Sequence, residues 1–244
     1  IEAVYDIVMA IVTFVLRLTP YGILAIMAST LATSDFGAIW TLGKFLLASY
    51  AALITMYVIH LIILSVLGIN PVRYVKKTLE VLIFAFTSRS SAGALPLNIQ
   101  TQTQRLGVPE GIANFSATFG LSIGQNGCAG IYPAMLAIMV APVAHVHIDF
   151  QFIITLIAVV IISSFGVAGV GGGATFASIL VLSTLNLPVA LAGVLISIEP
   201  LIDMGRTALN VNDSILAGTG TARLTKNWDK DTFESNHYGE LSSS

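Results

Sequence analysis

The fold class the sequence predicts is an all-α integral membrane protein made of two inverted repeats, each a re-entrant helical hairpin followed by a spanning helix. Three observations carry this. The 244 residues are 55% hydrophobic and only 10% charged, with a mean hydropathy of +0.87; a soluble domain carries about 25% charge. Two apolar stretches, 72–104 and 152–185, are each interrupted by a polar or glycine-rich centre at corresponding places in two halves of the chain, the pattern of hairpins around a midplane site. The last apolar stretch carries Glu199, Asp203, Arg206, Thr207 and Asn210, spaced so that one helical face presents them all.

The elements follow in order. Residues 7–32 form an apolar helix with a break near Pro20. The cleanest span is 45–67, inside a unit 34–71, and exceeds the roughly 20 residues a crossing needs. The first hairpin has apolar halves 79–86 and 94–99 around Thr87 to Gly93. A further span, 111–141, is interrupted by Gly124-Gln-Asn-Gly127, which predicts local unwinding. The second hairpin has halves 152–162 and 175–185 around Ser163 to Gly173. Irregular backbone at that depth is tolerated only where protein or water covers it. The last span runs from Pro188 to about Arg223, and Pro200 within it frees the carbonyl of Ile196.

Arg73, Lys76 and Lys77 precede the first hairpin, and Arg223, Lys226 and Lys230 follow the last span, whereas 142–149 has no Lys or Arg. By the positive-inside rule the first hairpin opens to the cytoplasm and the second to the outside. The units 72–141 and 152–223 are then inverted repeats, 142–151 an extracellular linker and 224–244 a solvated cytoplasmic tail. The chain opens on Ile, not Met, without a signal-peptide pattern, and is expected to lack N-terminal segments. A net charge of −2 says nothing for nucleic acid, and a single cysteine, Cys128, excludes an internal disulfide framework.

A charged group at the centre of a membrane helix costs about 2.5–3.5 kcal/mol on insertion scales, and marks a substrate or ion path by default. Asp203 suits an ammonium through charge-assisted hydrogen bonds, and Arg206 offers a planar fork to a carboxylate. The plain alternative is an i, i+3 ion pair that only packs the bundle. Ser90 and Ser91 stand at a half-helix start, where backbone donors and the dipole favour anions; Gly169 to Gly173 permits close backbone approach. Arg89 balances carboxylates at that tip, such as Glu199. A buried Glu199 either carries a proton, through desolvation, or is neutralised by Arg89. Cys128 reads first as a small apolar filler. His60, His145 and His147 have no metal-ligand company and read as span or loop residues.

Ser88-Arg-Ser-Ser-Ala-Gly-Ala-Leu-Pro96, Gly166-Val-Ala-Gly-Val-Gly-Gly-Gly173 and Asp203-Met-Gly-Arg-Thr-Ala-Leu-Asn210 together resemble the dicarboxylate/amino acid:cation symporters, which include the glutamate transporters. The resemblance covers nearly the whole chain, and Ser122-Ile-Gly-Gln-Asn-Gly-Cys-Ala-Gly130 looks most like the bacterial L-cystine importers of that family. It implies a glutamate-transporter-like transport domain that carries an amino acid across the plasma (cytoplasmic) membrane of a bacterium. It also implies a homotrimer with a static scaffold mostly absent from this chain, residues 1–33 matching the scaffold's last helix. Asp203 and Arg206 match positions for the substrate amino group and distal acidic group, which cystine also possesses. Ser91 and Val170 with Gly171 and Gly172 match positions facing the α-carboxylate; Thr207 and Asn210 share the ionic face, and Cys128 replaces a Thr near the substrate.

The family's cation positions match Gly120, Ser122, Gly124, Asn126, Ser164, Val167, Asn210 and one of Asp213 and Ser214. Most members read Asn-Met-Asp-Gly-Thr where this chain reads Gly124-Gln-Asn-Gly-Cys128, so a carboxylate is lost at Asn126 and an amide at Gly124. An ungapped match sets Ser214 at a further carboxylate position, and a one-residue gap restores Asp213. No cofactor is implied, only a co-transported cation, with sodium and proton both open. The sequence therefore predicts a secondary importer of L-cystine, with glutamate or aspartate as the alternative substrate and a passive anion channel as a rival. An intramembrane hydrolase using Ser90 or Ser91 lacks a Gly-x-Ser-x-Gly elbow.

Overall fold

The computed structural model describes residues 36–166, 173–189 and 198–235, with three isolated positions, 21, 25 and 28, before them. The helix expected over 7–32, the glycine-rich centre of the second predicted hairpin (Val167, Val170, Gly171 and Gly172 included) and Ile196 lie outside the described residues.

Among the described residues every regular element is helical. Helix α1, Phe36–Val66, is a 31-residue apolar rod. Helix α2, Pro71–Ser88, starts on Asn70, whose side chain accepts from the Arg73 N–H, with Pro at the first turn, where its missing N–H is not needed. It stops at Arg89, whose φ of 55° is left-handed and whose N–H donates to the Ala85 carbonyl. A non-glycine residue there is strained by about 1–2 kcal/mol. The chain turns through 90–94 and continues as α3, Leu95–Gln100, widening into a π-helical turn over Thr101–Arg105.

Helix α4, Glu110–Ser122, ends before the glycine-rich interruption. The chain resumes as a π-helical turn, Asn126–Ile131, and then α5, Tyr132–Val143. The predicted break is thus present, at 123–125. Helices α6, Phe150–Ser164, and α7, Gly173–Thr184, flank the second predicted centre. Helix α8, Glu199–Leu224, is continuous, with Pro200 in its first turn. That corrects the expectation of Pro200 inside the span: it begins this helix instead of interrupting it. Helix α9, Lys230–Glu234, is capped by Asp229.

Helix α8 packs on α4, α2 and α1 and on the π-turn before α5. It contributes Ile202 and Leu209 to one apolar cluster with Phe45, Leu136 and Leu182. It contributes Val211 and Ile215 to a second with Leu64, Tyr74 and Phe233. The outward surface is apolar, with Ile54, Ile62, Phe84, Phe115, Ile157 and Ile161 exposed, while Lys77, Asn98, Gln102, Gln125, Arg206 and Asn212 are buried. Among the described residues two stretches, Leu42–Val66 and Glu110–Val143, are long and apolar enough to cross a membrane.

The segment expected as a solvated tail is partly docked. Phe233 is buried, Trp228 Nε1 donates to the Leu106 carbonyl at 2.7 Å, and Asp229 N–H donates to the Gly107 carbonyl at 2.9 Å. Aromatic residues within a polar run supply enough apolar area to hold it down.

Candidate functional site

Four charges converge where the tip after α2 meets the first turns of α8. Arg206 Nη2 donates to Asp203 Oδ1 at 2.9 Å and, more closely, to Glu199 Oε1. Arg89 Nε donates to Asp203 Oδ2 at 3.0 Å, and its Nη2 lies 4.0 Å from Glu199 Oε2. Two guanidinium groups and two carboxylates sum to zero, which lets them share a space from which water is largely excluded. The i, i+3 pair weighed from the sequence does form, but inside a network that also takes in Arg89 and Glu199.

Arg206 is fully buried, and its guanidinium lies over the Tyr132 ring, 4.2 Å from the centroid. That contact attracts the cation to the ring face without consuming an N–H. Its Nε and Nη1 have no hydrogen-bond partner among the described residues. Buried donors are nearly always satisfied in a finished core, so this guanidinium has capacity to spare. Gly127 brings the interrupted segment against it: a Cβ on Gly127 would lie 3.0 Å from the Cα, Cβ and carbonyl oxygen of Arg206. Only a glycine allows that approach.

Asn210 pins the same segment to α8. Its Oδ1 accepts from the Gly127 N–H at 2.7 Å, and its Nδ2 donates to Gln125 Oε1 at 2.9 Å and to Cys128 Sγ at 3.1 Å. Thr207 is buried on the same helix. Ser90 is turned inward on its own tip, its Oγ accepting from the Gly93 N–H at 2.9 Å. Ser91 is buried and faces Asn210, Gln125 and Ser214 across a small gap. The structure therefore brings together Arg89, Ser91, Cys128, Glu199, Asp203, Arg206, Thr207 and Asn210.

The residues read as cation positions divide into two groups. Ser214 Oγ accepts from Asn98 Nδ2 at 2.7 Å and packs on Gly120, where a Cβ would come within 2.6 Å of Ser214 Cβ. Asp213 instead lines a cavity of about 310 Å³ with Gly124, Asn126, Gly130 and Ser164. The two alternatives read from the sequence thus sit in different surroundings. Ser122 is brought to neither: it is exposed, its Oγ donating to the Thr118 carbonyl at 3.5 Å.

The sequence reading passed over four residues at these sites. Tyr132, Gln125 and Asn98 are unremarkable in isolation; Gln125 alone had a signal, lying inside the predicted break. His60, set aside as an ordinary span residue, is 3.0 Å from Asp213 through Nε2. Pairing across that much chain leaves no mark in local spacing.

Residues 1–224 match the model of the sodium:dicarboxylate symporter family. Among similar proteins, one named L-cystine uptake protein TcyP from Bacillus licheniformis is 67% identical over 235 residues, covering 96% of this chain and 51% of that protein. The protein of the same name from Shouchella clausii is 68% identical over 234 residues, covering 96% of this chain and 50% of its own length. That from Bacillus anthracis is 61% identical over 246 residues, covering 100% of this chain and 53% of its own. The chain spans about half the length of these relatives. With the three motifs in order and a match over 224 residues, the chain belongs to the sodium:dicarboxylate symporter family.

Proposed function

We propose that the protein carrying this chain imports L-cystine across the cytoplasmic membrane of a bacterium, coupled to the entry of a cation. The observation that carries the reading is Arg206: a fully buried guanidinium with two unspent nitrogens, set beside the carboxylate of Asp203. A zwitterion fits that pair. Its ammonium goes to Asp203 and its distal carboxylate to Arg206, each by charge-assisted hydrogen bonds. The α-carboxylate goes to the tips, at Ser91 and at Val170 with Gly171 and Gly172. Thr207, Asn210 and Cys128 line the remainder. The names of the similar proteins, at 61–68% identity, favour cystine over glutamate or aspartate.

Glu199 and Asp203 hold Arg206 in the arrangement described here. A substrate carboxylate replaces one resident carboxylate by another, so the site exchanges partners without baring a charge. The resident quartet is neutral, and so is cystine with its two ammonium and two carboxylate groups. The loaded site then crosses with only the coupled cation's charge. On this reading, 72–141 and 152–223 are inverted repeats whose hairpins close over the substrate, and the transport domain moves as a rigid body against a trimeric scaffold that lies mostly outside this chain. Coupling draws on Gly120, Gly124, Asn126, Ser164, Asn210, Asp213 and Ser214.

Uptake of labelled cystine by the full-length protein in proteoliposomes tests this. Saturable uptake against a gradient, competed by cystine far better than by glutamate or aspartate, is expected. Current that scales linearly with voltage and needs no coupled ion would replace the importer with a channel.

A further inference from the structure

Cystine is two amino acids joined through their side chains by a disulfide. The assignments made so far give a partner to its first ammonium and to both carboxylates, and none to its distal ammonium. Two carboxylates stand at the site, Asp203 and Glu199, and only Asp203 has an ammonium to receive. Glutamate and aspartate carry one ammonium each, so neither offers Glu199 a cation.

Glu199 opens α8, where an acidic residue complements the helix dipole. Its side chain is not turned outward, however. It runs along the helix to Arg206, seven residues on, and its Oε1 accepts from Nη2 there. Its Oε2 has only a longer contact among the described residues, to Arg89 Nη2 at 4.0 Å. That oxygen is engaged by charge but not by a hydrogen bond. The Glu199 side chain also keeps 13% of its surface open, whereas Arg206 keeps none.

The spacing suits the two ends of the ligand. Glu199 and Asp203 are four residues apart on one helix, which sets their Cβ atoms about 5–6 Å apart. The two α-carbons bridged by a disulfide are separated by about 5.5–6 Å. An ammonium on each α-carbon therefore meets one carboxylate. The distal carbon holds its ammonium and carboxylate side by side, and Glu199 in contact with Arg206 offers an anion and a cation side by side. Arg206 Nε and Nη1, buried and without a hydrogen-bond partner, are placed for the distal carboxylate. Two guanidinium groups and two carboxylates are the charge complement of cystine. Glutamate, with one ammonium, leaves one of those carboxylates unmatched, and an unmatched buried charge is costly.

We propose that Glu199 receives the distal ammonium of L-cystine and is the residue that selects cystine against glutamate and aspartate. This rests on the reading of the site as that of a cystine importer, and gives that site its specificity.

The test measures displacement of labelled L-cystine from the full-length protein in detergent, without free thiol. The competitors are unlabelled L-cystine and the mixed disulfide of L-cysteine with 3-mercaptopropionic acid, which lacks only the distal ammonium. A hydrogen bond to a charged group corresponds to a preference of at least about 10-fold. The unsubstituted protein is expected to prefer cystine by that factor. Glu199→Gln is expected to weaken cystine by a similar factor and to bind the two disulfides about equally. Glu199→Asp keeps the charge and withdraws it by one methylene. It is expected to weaken cystine and leave the mixed disulfide unchanged, and it reads out even if Glu199→Gln does not fold. A Glu199→Gln protein that weakens both disulfides by the same factor overturns the proposal, because Glu199 then only holds Arg206. Equal binding of the two disulfides by the unsubstituted protein also overturns it and leaves the importer standing. Failure of that protein to bind cystine at all removes the importer reading itself.

Discussion

Lys77 and Arg206 are both fully buried cations, one under the docked strap of residues 228–235 and one at the ionic face of α8. Lys77 Nζ donates to the carbonyls of Arg105 and Thr232, each at 2.8 Å, with the Phe233 ring 5.6 Å away. Its partners are backbone oxygens from two other segments, so it ties the strap to the π-turn after α3. Arg206 is held by two carboxylates through a single nitrogen and rests on Tyr132 with Nε and Nη1 unspent. Burial alone therefore does not distinguish a site from a staple. The difference lies in what each cation has left over. Lys77 is held by carbonyls that do not exchange, whereas Arg206 has carboxylate partners that a ligand's carboxylate can replace.

The comparison breaks most sharply at Arg206. Arg206→Ala is expected to remove cystine binding, since truncating one partner of a buried charge pair costs about 2–5 kcal/mol, and calorimetry showing wild-type affinity would end its role. Lys77→Met is the counterpart. It leaves the two carbonyls unpaired, at about 1–3 kcal/mol each at most, and is expected to lower the melting temperature by several degrees while cystine affinity is unchanged. A change in affinity without a change in melting would mean Lys77 had been misassigned.

Gly127→Ala tests whether the interrupted segment sets Arg206. Its added methyl meets backbone atoms of α8 at 3.0 Å, and overpacking of this kind costs about 1–3 kcal/mol. A weakened cystine affinity with the fold retained, followed by titration and circular dichroism, is the expected result.

The smallest effect belongs to the strap. The Thr232 hydroxyl, then its N–H, hold the Asp229 carboxyl below its ordinary value. A depressed pKa means that this cap stabilises fully above the ordinary Asp range and fades as pH falls through the depressed value. The protection of the amides over 228–235, measured relative to their intrinsic exchange rates at each pH, should fall at acid pH, and Asp229→Ala should remove that pH dependence while leaving cystine affinity alone.

The ionic face of α8 was legible because i, i+3, i+4 and i+7 must share a face on any helix, whatever surrounds it. The break after α4 was legible for a similar reason: Gly124 and Gly127 bracket it, and glycine weakens a helix locally. Composition alone was enough to give the helical class, since a chain with 10% charge and long apolar runs has few ways to satisfy its backbone in lipid. Each of these is a property of neighbours in sequence.

His60 with Asp213, Tyr132 under Arg206, Asn98 on Ser214, and Trp228 on Leu106 belong to another category. Each joins segments distant along the chain, and no spacing rule connects them. Helical wheels put Asp213 about 80° from the Asp203 face and could not say what awaited it there. The packing of α1 against α8 supplied the answer, in a histidine that orients the carboxylate and leaves one oxygen unsatisfied. Local periodicity determines which face of a helix is polar; the neighbour across the interface determines whether that polarity is used up or left available for a ligand.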